Sequence, residues 1–388
     1  MAYIIDKKGN KVGKENYKNI QNYSEGFAAF ENMGGKWGML DLDGNVAIPP
    51  IYEESWGFMG GLCAVKLNGK WGFINKQNEF IIACNYDRVH NFFEGFASVK
   101  LGDYWAIINI EGTAITKFKY KYICSFSEGF ASVGVGNRWT CVNTLGIELF
   151  KPVYKFIRPF LNGYSSVLNV YNKSGVIDKN GEVVIPFEYE NIHYFQEGLL
   201  AVSKKRLWGF LDSKSNVVIP FQFDEVHGGF KNGYCIVTKG KYKGIIDKTG
   251  KTVIPFVMKD IVSLETFQTK PTLNVLAIVS LDRCKAHISR DKKIVEGFDA
   301  EQLNPKYIDP YIYYAYGIIR IMDSKIILPF KYTRIRAFSN ELAQVEFCSK
   351  TGYVNHKGKW AIPISDYGFA SEFYDERAIV DLEFYGPL

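Results

Sequence analysis

The chain has 388 residues and sets 47 basic against 41 acidic side chains, a net charge of +6, so it has no strong electrostatic footprint for nucleic acid or an anionic membrane. Hydrophobic residues at 47% and charged residues at 23% are ordinary for a globular protein, while aromatics at 16% favour β structure. The seven cysteines (63, 84, 124, 141, 235, 284 and 348) stand singly without a CxxC, which argues against a disulfide framework and a zinc site.

The amino terminus, MAYIIDKKGN, has no apolar stretch behind a basic one, and no window of 18 apolar residues occurs, so a cytoplasmic protein is expected. Residues 1–23 hold a partial repeat, and the regular array runs over 24–256. Trp37, Trp71, Trp105 and Trp139 are 34 residues apart, and the phase continues through Ser174, Trp208 and Lys243. A second marker, SEGFAAF at 24–30, returns as FEGFASV, SEGFASV, LNGYSSV, QEGLLAV and KNGYCIV. A third is Ile-Pro followed by an aromatic-acid pair, as in VAIPPIYEE and VVIPFQFDE. Residues 257–316 lose the tryptophan, the glycines and Ile-Pro, and read as a degenerate repeat or insertion. Residues 317–388 resume the repeats and end in a partial unit.

These markers (Lys-Trp-Gly-Phe-Ile, the following glycine, Ile-Pro and Glu-Gly-x-Ala-x-Val) resemble the WG, or KWG, repeat of bacterial proteins over most of the chain. The resemblance implies a β-rich module in many copies and gives fold more than function.

Within a unit, SEGFASV alternates as a half-buried strand behind a glycine-bearing turn. WGFIN or WGFLD follows as its antiparallel partner, an Asp or Asn opens a Lys-x-Gly turn, and VVIP is a third strand ended by proline. The tail, YDRVHNF or YENIHYF, is a possible fourth edge segment packing on the next unit. The expected fold is all-β, with about ten to eleven antiparallel meanders in an open curved superhelix. The alternative is a closed propeller-like ring whose terminal strands complete one unit.

Asp41, Asp178, Asp212 and Asp247 share a position with Asn75, Asn109, Asn143 and Asn355, which suits a turn and not a general acid or base. The tryptophans read as packing between repeats in preference to a sugar platform. Four residues after the aromatic of the aromatic-acid pair lies a variable position: Trp56, His90, Cys124, Arg158, His193, His227 and Arg336, a candidate binding edge. Its rival is a tolerant surface site. Lys117, Lys119 and Lys121, with Lys239, Lys241, Lys243, Lys331 and Arg334, interleave with aromatics as candidate basic contacts. In KFKYKY, alternation sets the lysines on one strand face and Phe118, Tyr120 and Tyr122 on the other.

No catalytic, cofactor or metal constellation is visible; HExxH and GxSxG spacings do not occur. The expectation is a non-enzymatic scaffold for a macromolecular partner, foremost a protein. An RNA or DNA accessory protein and a carbohydrate binder are the alternatives. Composition sets neither the oligomeric state nor the pathway.

Overall fold

In most units a glycine follows the tryptophan position and gives the fourth strand room to bulge over the third. The computed structural model describes residues 2–269, 272–282, 314–320, 325–347, 350–365, 369–372 and 377–381. In the sheet built from Glu54–Met59, Leu62–Leu67, Lys70–Ile74 and Phe80–Tyr86, each strand pairs antiparallel with the next. The last pairing is irregular: Ile82 faces Phe73 but Tyr86 faces Trp71, so the outer strand carries two extra residues opposite Gly72. A Cβ on Gly72 would sit 2.5 Å from the Ile82 carbonyl oxygen and 2.7 Å from the Cys84 nitrogen. Gly209 and Gly244 meet the carbonyls of Ile219 and Ile254 in the same way.

Two of the tryptophan-bearing units lack that glycine, as does the sheet of Ala2–Asp6, where Tyr3 takes the place and four strands are kept. Trp105 is followed by Ala106 and Trp139 by Thr140, and there the fourth strand is reduced to isolated bridges, Trp105↔Tyr120 with Ile108↔Ala114 and Trp139↔Tyr154 with Val142↔Glu148. Side chains replace part of the ladder: Ile107 N donates to Thr116 Oγ1 at 2.9 Å, and Thr140 Oγ1 donates to the Phe150 carbonyl at 2.5 Å. The Ile-Pro marker is missing from these two units and also from the Trp71 unit, whose fourth strand Phe80–Tyr86 is complete.

The tail of each unit opens the next sheet, so the repeating sheet has four strands where three were expected with a possible fourth. Glu53 is a bend that separates Val46–Tyr52, which closes one sheet, from Glu54–Met59, which opens the next. Nor is the second strand half-buried. In Leu62–Leu67, Cys63 and Val65 pack into a core with Ala29, Met39, Ile48 and Tyr52, while Leu62 and Ala64 pack into another with Phe73, Phe92 and Val99. Neighbouring sheets cover both faces, which is why a single unit could not stand alone.

The Glu-Gly turns carry a second link between sheets. Glu25, Glu94, Glu128 and Glu197 hold φ of 50–54°, a region that Asn or Gly occupies at less cost. Their carboxylates explain the choice. Glu94 accepts from the nitrogens of Glu128 (2.7 Å) and Gly129 (2.8 Å), and Glu128 in turn accepts from those of Asn162 (2.5 Å) and Gly163 (2.8 Å). Beside this clasp, Ser24 and Ser127 donate to the carbonyls of Phe58 (2.7 Å) and Phe160 (2.6 Å) in the next sheet.

Burial opposes ionisation of Glu128, but the bonds from Gly163, Lys179 and Asn162 outweigh it and hold the carboxyl below the ordinary glutamate range. Its contribution is therefore present above about pH 4.3, the usual unfolded value, and is lost as pH falls through the lower folded value. Glu128→Gln should cost about 1–3 kcal/mol at neutral pH, because one of the two N–H groups then faces an amide donor. Melting followed from pH 7 to pH 3 should show the gap between wild type and variant closing in acid; a gap constant with pH would dismiss the clasp.

The chain divides into two compact units. Tyr17–Gln222 contains six of the ten sheets among the described residues, and Met1–Asn16 with Phe223–Leu388 contains the other four. In the latter, Ala2–Asp6 pairs antiparallel with Arg377–Asp381, from Ala2↔Asp381 to Asp6↔Arg377, so the two ends of the chain complete one sheet. That is the ring alternative's prediction, and it replaces the favoured open array, whose ends would stay unpaired. Four-stranded blades closed by both termini define a propeller-type topology. The degenerate stretch keeps its sheet: Asp260–Thr269 and Thr272–Asp282 form a long hairpin that continues into Tyr314–Arg320 and Lys325–Tyr332. Residues 283–313, with most of the tyrosine-rich run, lie outside the described residues. Among the described residues there is no helix.

Candidate functional site

The variable row falls in one register. Trp56, His90, Cys124, Arg158, His193, His227 and Arg336 are each the third residue counted from the start of a sheet's first strand, which begins at Glu54, Arg88, Tyr122, Phe156, Asn191, Glu225 and Arg334. The residue before each is buried in the core, from Ser55 and Val89 to Ile335, so alternation turns the row to the opposite face. There, at three positions, it meets a tryptophan. Trp56 packs on Trp71 (ring centroids 5.3 Å apart), His90 stacks on Trp105 (4.5 Å, 21° between planes), and His193 stands edge-on to Trp208 (4.6 Å).

Trp56, His90 and His193 are therefore half-buried lids on tryptophans, while the other four row residues have different surroundings. Cys124 is half-buried, its thiol pushed up by burial. Arg158 lies over Tyr194 of the following sheet, 5.9 Å from the ring centre. His227 Nε2 is 2.7 Å from Thr238 Oγ1 and 3.6 Å from Glu225. Arg336 is partly buried on the strand Arg334–Ser339.

Where two aromatic lids follow one another, at Trp56 and His90, the sheets leave a cleft of about 420 Å³, within the range of small-ligand sites. Trp56, Lys66 and Trp71 line it from one sheet, and Asp87, Arg88, His90 and Trp105 line it from around the next. Trp71 and Trp105 are 7% and 9% exposed, so they form a floor, and the accessible rings are those of Trp56 and His90.

The cleft's charges are mostly committed. Lys66 pairs with Glu54 at 2.6 Å, and Asp87 takes Lys70 at 2.5 Å and the Gly102 nitrogen at 2.7 Å. The hydrogen bond from Lys70, followed by that from Gly102, holds the Asp87 carboxyl below its ordinary range. Burial, and then the nearby Arg88, lowers the His90 pKa, so the ring is neutral at pH 7. Arg88 is exposed and, among the described residues, has no ion-pair partner. No serine, threonine or cysteine lines the cleft. The arrangement offers aromatic surface and one available cation; it does not assemble a nucleophile beside a base.

The candidate lysines fall elsewhere. In KFKYKY the chain is not a strand over 117–121, and Phe118 and Tyr122 are exposed beside the lysines, so the expected two-faced layout is wrong. The cause is the reduced fourth strand beside Ala106; only Tyr120, bridged to Trp105, turns inward. Lys119 pairs with Glu148 at 2.7 Å, and Lys121 lies 4.3 Å from the Tyr104 ring centre, while Lys117 is exposed. Lys239 ends a strand at an exposed hairpin turn that contains Lys241, and Lys243 pairs with Asp260 at 2.6 Å. Arg334 is exposed, and the Lys331 side chain lies outside the described residues. None of these lines the cleft.

The repeated carboxylates serve turns. Asp41 Oδ1 accepts from the nitrogens of Asp43 (2.9 Å) and Asn45 (2.8 Å), and Asn75 Oδ1 does the same for Gln77 (3.0 Å) and Glu79 (2.9 Å). Among the described residues, no group of three His, Cys, Asp or Glu is placed to hold a metal.

Comparison with known proteins adds the following. Nine segments, at 4–37, 37–71, 71–105, 105–139, 139–169, 175–207, 208–242, 316–347 and 352–383, match the family described as "WG containing repeat". No curated protein matches the chain. Among solved structures, one described as "the eukaryotic initiation factor" is similar over 91% of this chain and 97% of its own, with a TM-score of 0.50 at 12% identity, a likeness of fold alone. BamB from Moraxella catarrhalis (TM-score 0.33, 8% identity, 72% of this chain and 88% of that one) and the designed protein Ika8 (0.35, 10%, 69% and 95%) score too low to establish a shared architecture.

Proposed function

As a member of the WG repeat family, to which nine matched segments assign it, the chain is, we propose, a non-enzymatic scaffold that binds a protein partner through the variable row and the tryptophans beneath it. Propeller-type folds commonly act as protein-interaction scaffolds. The observation that carries the reading is the cleft at Trp56 and His90, where side chains that vary from unit to unit are presented on a frame of constant ones. Half-buried aromatic anchors beside an arginine are the composition of a protein-binding hot spot.

The test is selection of a displayed random-peptide library on the whole protein, with each enriched peptide then measured against the variant Trp56→Ala/His90→Ala/His193→Ala. Peptides that bind wild type and lose at least tenfold in affinity on the variant are the expected result. An empty selection, or peptides indifferent to the variant, would defeat the reading. Retention of single-stranded RNA that weakens steeply with salt would turn it toward nucleic acid, and binding of an oligosaccharide lost on the same variant would turn it toward carbohydrate.

A further inference from the structure

The geometry points to the cleft between Trp56 and His90 as a subsite for one aromatic side chain of a peptide that carries a carboxylate next to it, an inference that rests on the protein-binding reading above. Four observations on the cleft define that occupant.

The first is volume. About 420 Å³ is more than one aromatic side chain fills and too little for a folded element, so what enters is a side chain with its adjoining backbone. The second is the accessible aromatic surface. Trp56 and the neutral His90 face the opening, each already fixed against a buried tryptophan, so a guest ring can pack on surfaces that lose little freedom on binding.

The third is the charge left over. Lys66 and Lys70 are taken by Glu54 and Asp87, and Asp87 is held ionised by its bonds. Arg88 alone remains available at the cleft, and its planar guanidinium suits a carboxylate in two-point contact. One available cation beside two occupied carboxylates fits a single acidic side chain. It does not fit a phosphate backbone, which Glu54 and Asp87 would repel. For a pyranose, Trp56 is the one accessible tryptophan in the lining, since Trp71 and Trp105 are covered, so a sugar is left to the test below.

The fourth is the gap itself. Between the sheets that carry Arg158 and His193, Arg158 reaches over Tyr194 and bridges the space. The residue matching Tyr194 after His90 is Asn91, whose short side chain cannot serve as that platform, and the residue matching Arg158 is Trp56.

The experiment is calorimetric titration of the whole protein with acetylated, amidated pentapeptides: Gly-Gly-Trp-Glu-Gly, its glutamine counterpart, its lysine counterpart, and Gly-Gly-Ala-Glu-Gly. The acidic aromatic peptide should bind at least tenfold more tightly than each of the other three. Arg88→Glu should weaken it at least tenfold and His90→Ala several-fold, while Arg334→Glu, an exposed change outside the cleft, should leave it unaltered. Melting of each variant controls for folding, and Arg88→Glu, at an exposed position, keeps the test decisive if His90→Ala unfolds. Equal binding of the glutamine or alanine peptide, preference for the lysine peptide, or indifference to Arg88→Glu would overturn the assignment. A decathymidine strand or cellobiose that bound in an Arg88-dependent way would overturn it in favour of those ligands. If library-selected peptides bind through His193 or Arg158 while the acidic probe does not, this subsite fails and the protein-binding reading stands; if neither binds, both fail.

Discussion

Deleting Ala2–Asp6 should lower stability by about 4 kcal/mol or more, although only five residues are lost. Ile4 and Ile5 are both 1% exposed, and Ile5 packs with Leu342, Tyr353, Ile362 and Ala370. Full burial of an isoleucine is worth about 2 kcal/mol. The deletion also strips Arg377–Asp381 of its partner on that side, leaving it paired only with Phe369–Ala370. Denaturant unfolding should show a lower midpoint, and deuterium exchange should show the amides of 377–381 exchanging faster. An unchanged midpoint would mean that closure by the two ends adds nothing.

Gly72→Val should cost about 3 kcal/mol or more, near the top of what overpacking does. The obstructing atoms are backbone on the bulged outer strand, the Ile82 carbonyl and the Cys84 nitrogen, so no rotamer change relieves them. The chain contains its own control. Where alanine or threonine follows the tryptophan, at Ala106 and Thr140, the outer strand is absent and isolated bridges stand in its place. Ala106→Gly should therefore change stability by no more than about 1 kcal/mol, the ordinary penalty of a strand glycine. Thermal and denaturant unfolding of the two variants side by side checks both; equal effects would show that the glycine is not there for the bulge.

Much of the blade was legible in the sequence, because its signals are local. Tryptophans 34 residues apart set the period, and Asp41 or Asn75 with its glycine set the turn. Strand phase was harder: Val46–Met59 reads as one run with a tail, and only the bend at Glu53 assigns its halves to different sheets. Burial of SEGFASV on both faces was hidden because alternation describes a sheet covered on one side, whereas each inner strand here feeds two cores.

The Glu-Gly turns carry a further signal. Glutamate is a poor choice at positive φ, and its recurrence at 25, 94, 128 and 197 points to a task beyond turning, which at 25, 94 and 128 is the clasp to the next sheet. The variable row was visible as variation, but its footing was not. That Trp56 and His90 sit on tryptophans and enclose one cleft depends on how successive sheets stack, and no spacing along the chain encodes that distance. The lysine-bearing segment differs for a related reason: KFKYKY alternates like a strand, but the residue that bears on whether a strand forms there is Ala106, eleven positions before Lys117.

In the proposed reading, constant residues build the blades and varying ones bind. A parallel saturation scan of Gly72 and His90 tests that division most directly, with folded abundance and binding of the selected peptides read for every variant. At Gly72, abundance and binding should fall together for every substitution. At His90, most substitutions should keep abundance while binding changes with the residue introduced. Abundance falling in step with binding at His90, or Gly72 tolerating large side chains, would contradict it.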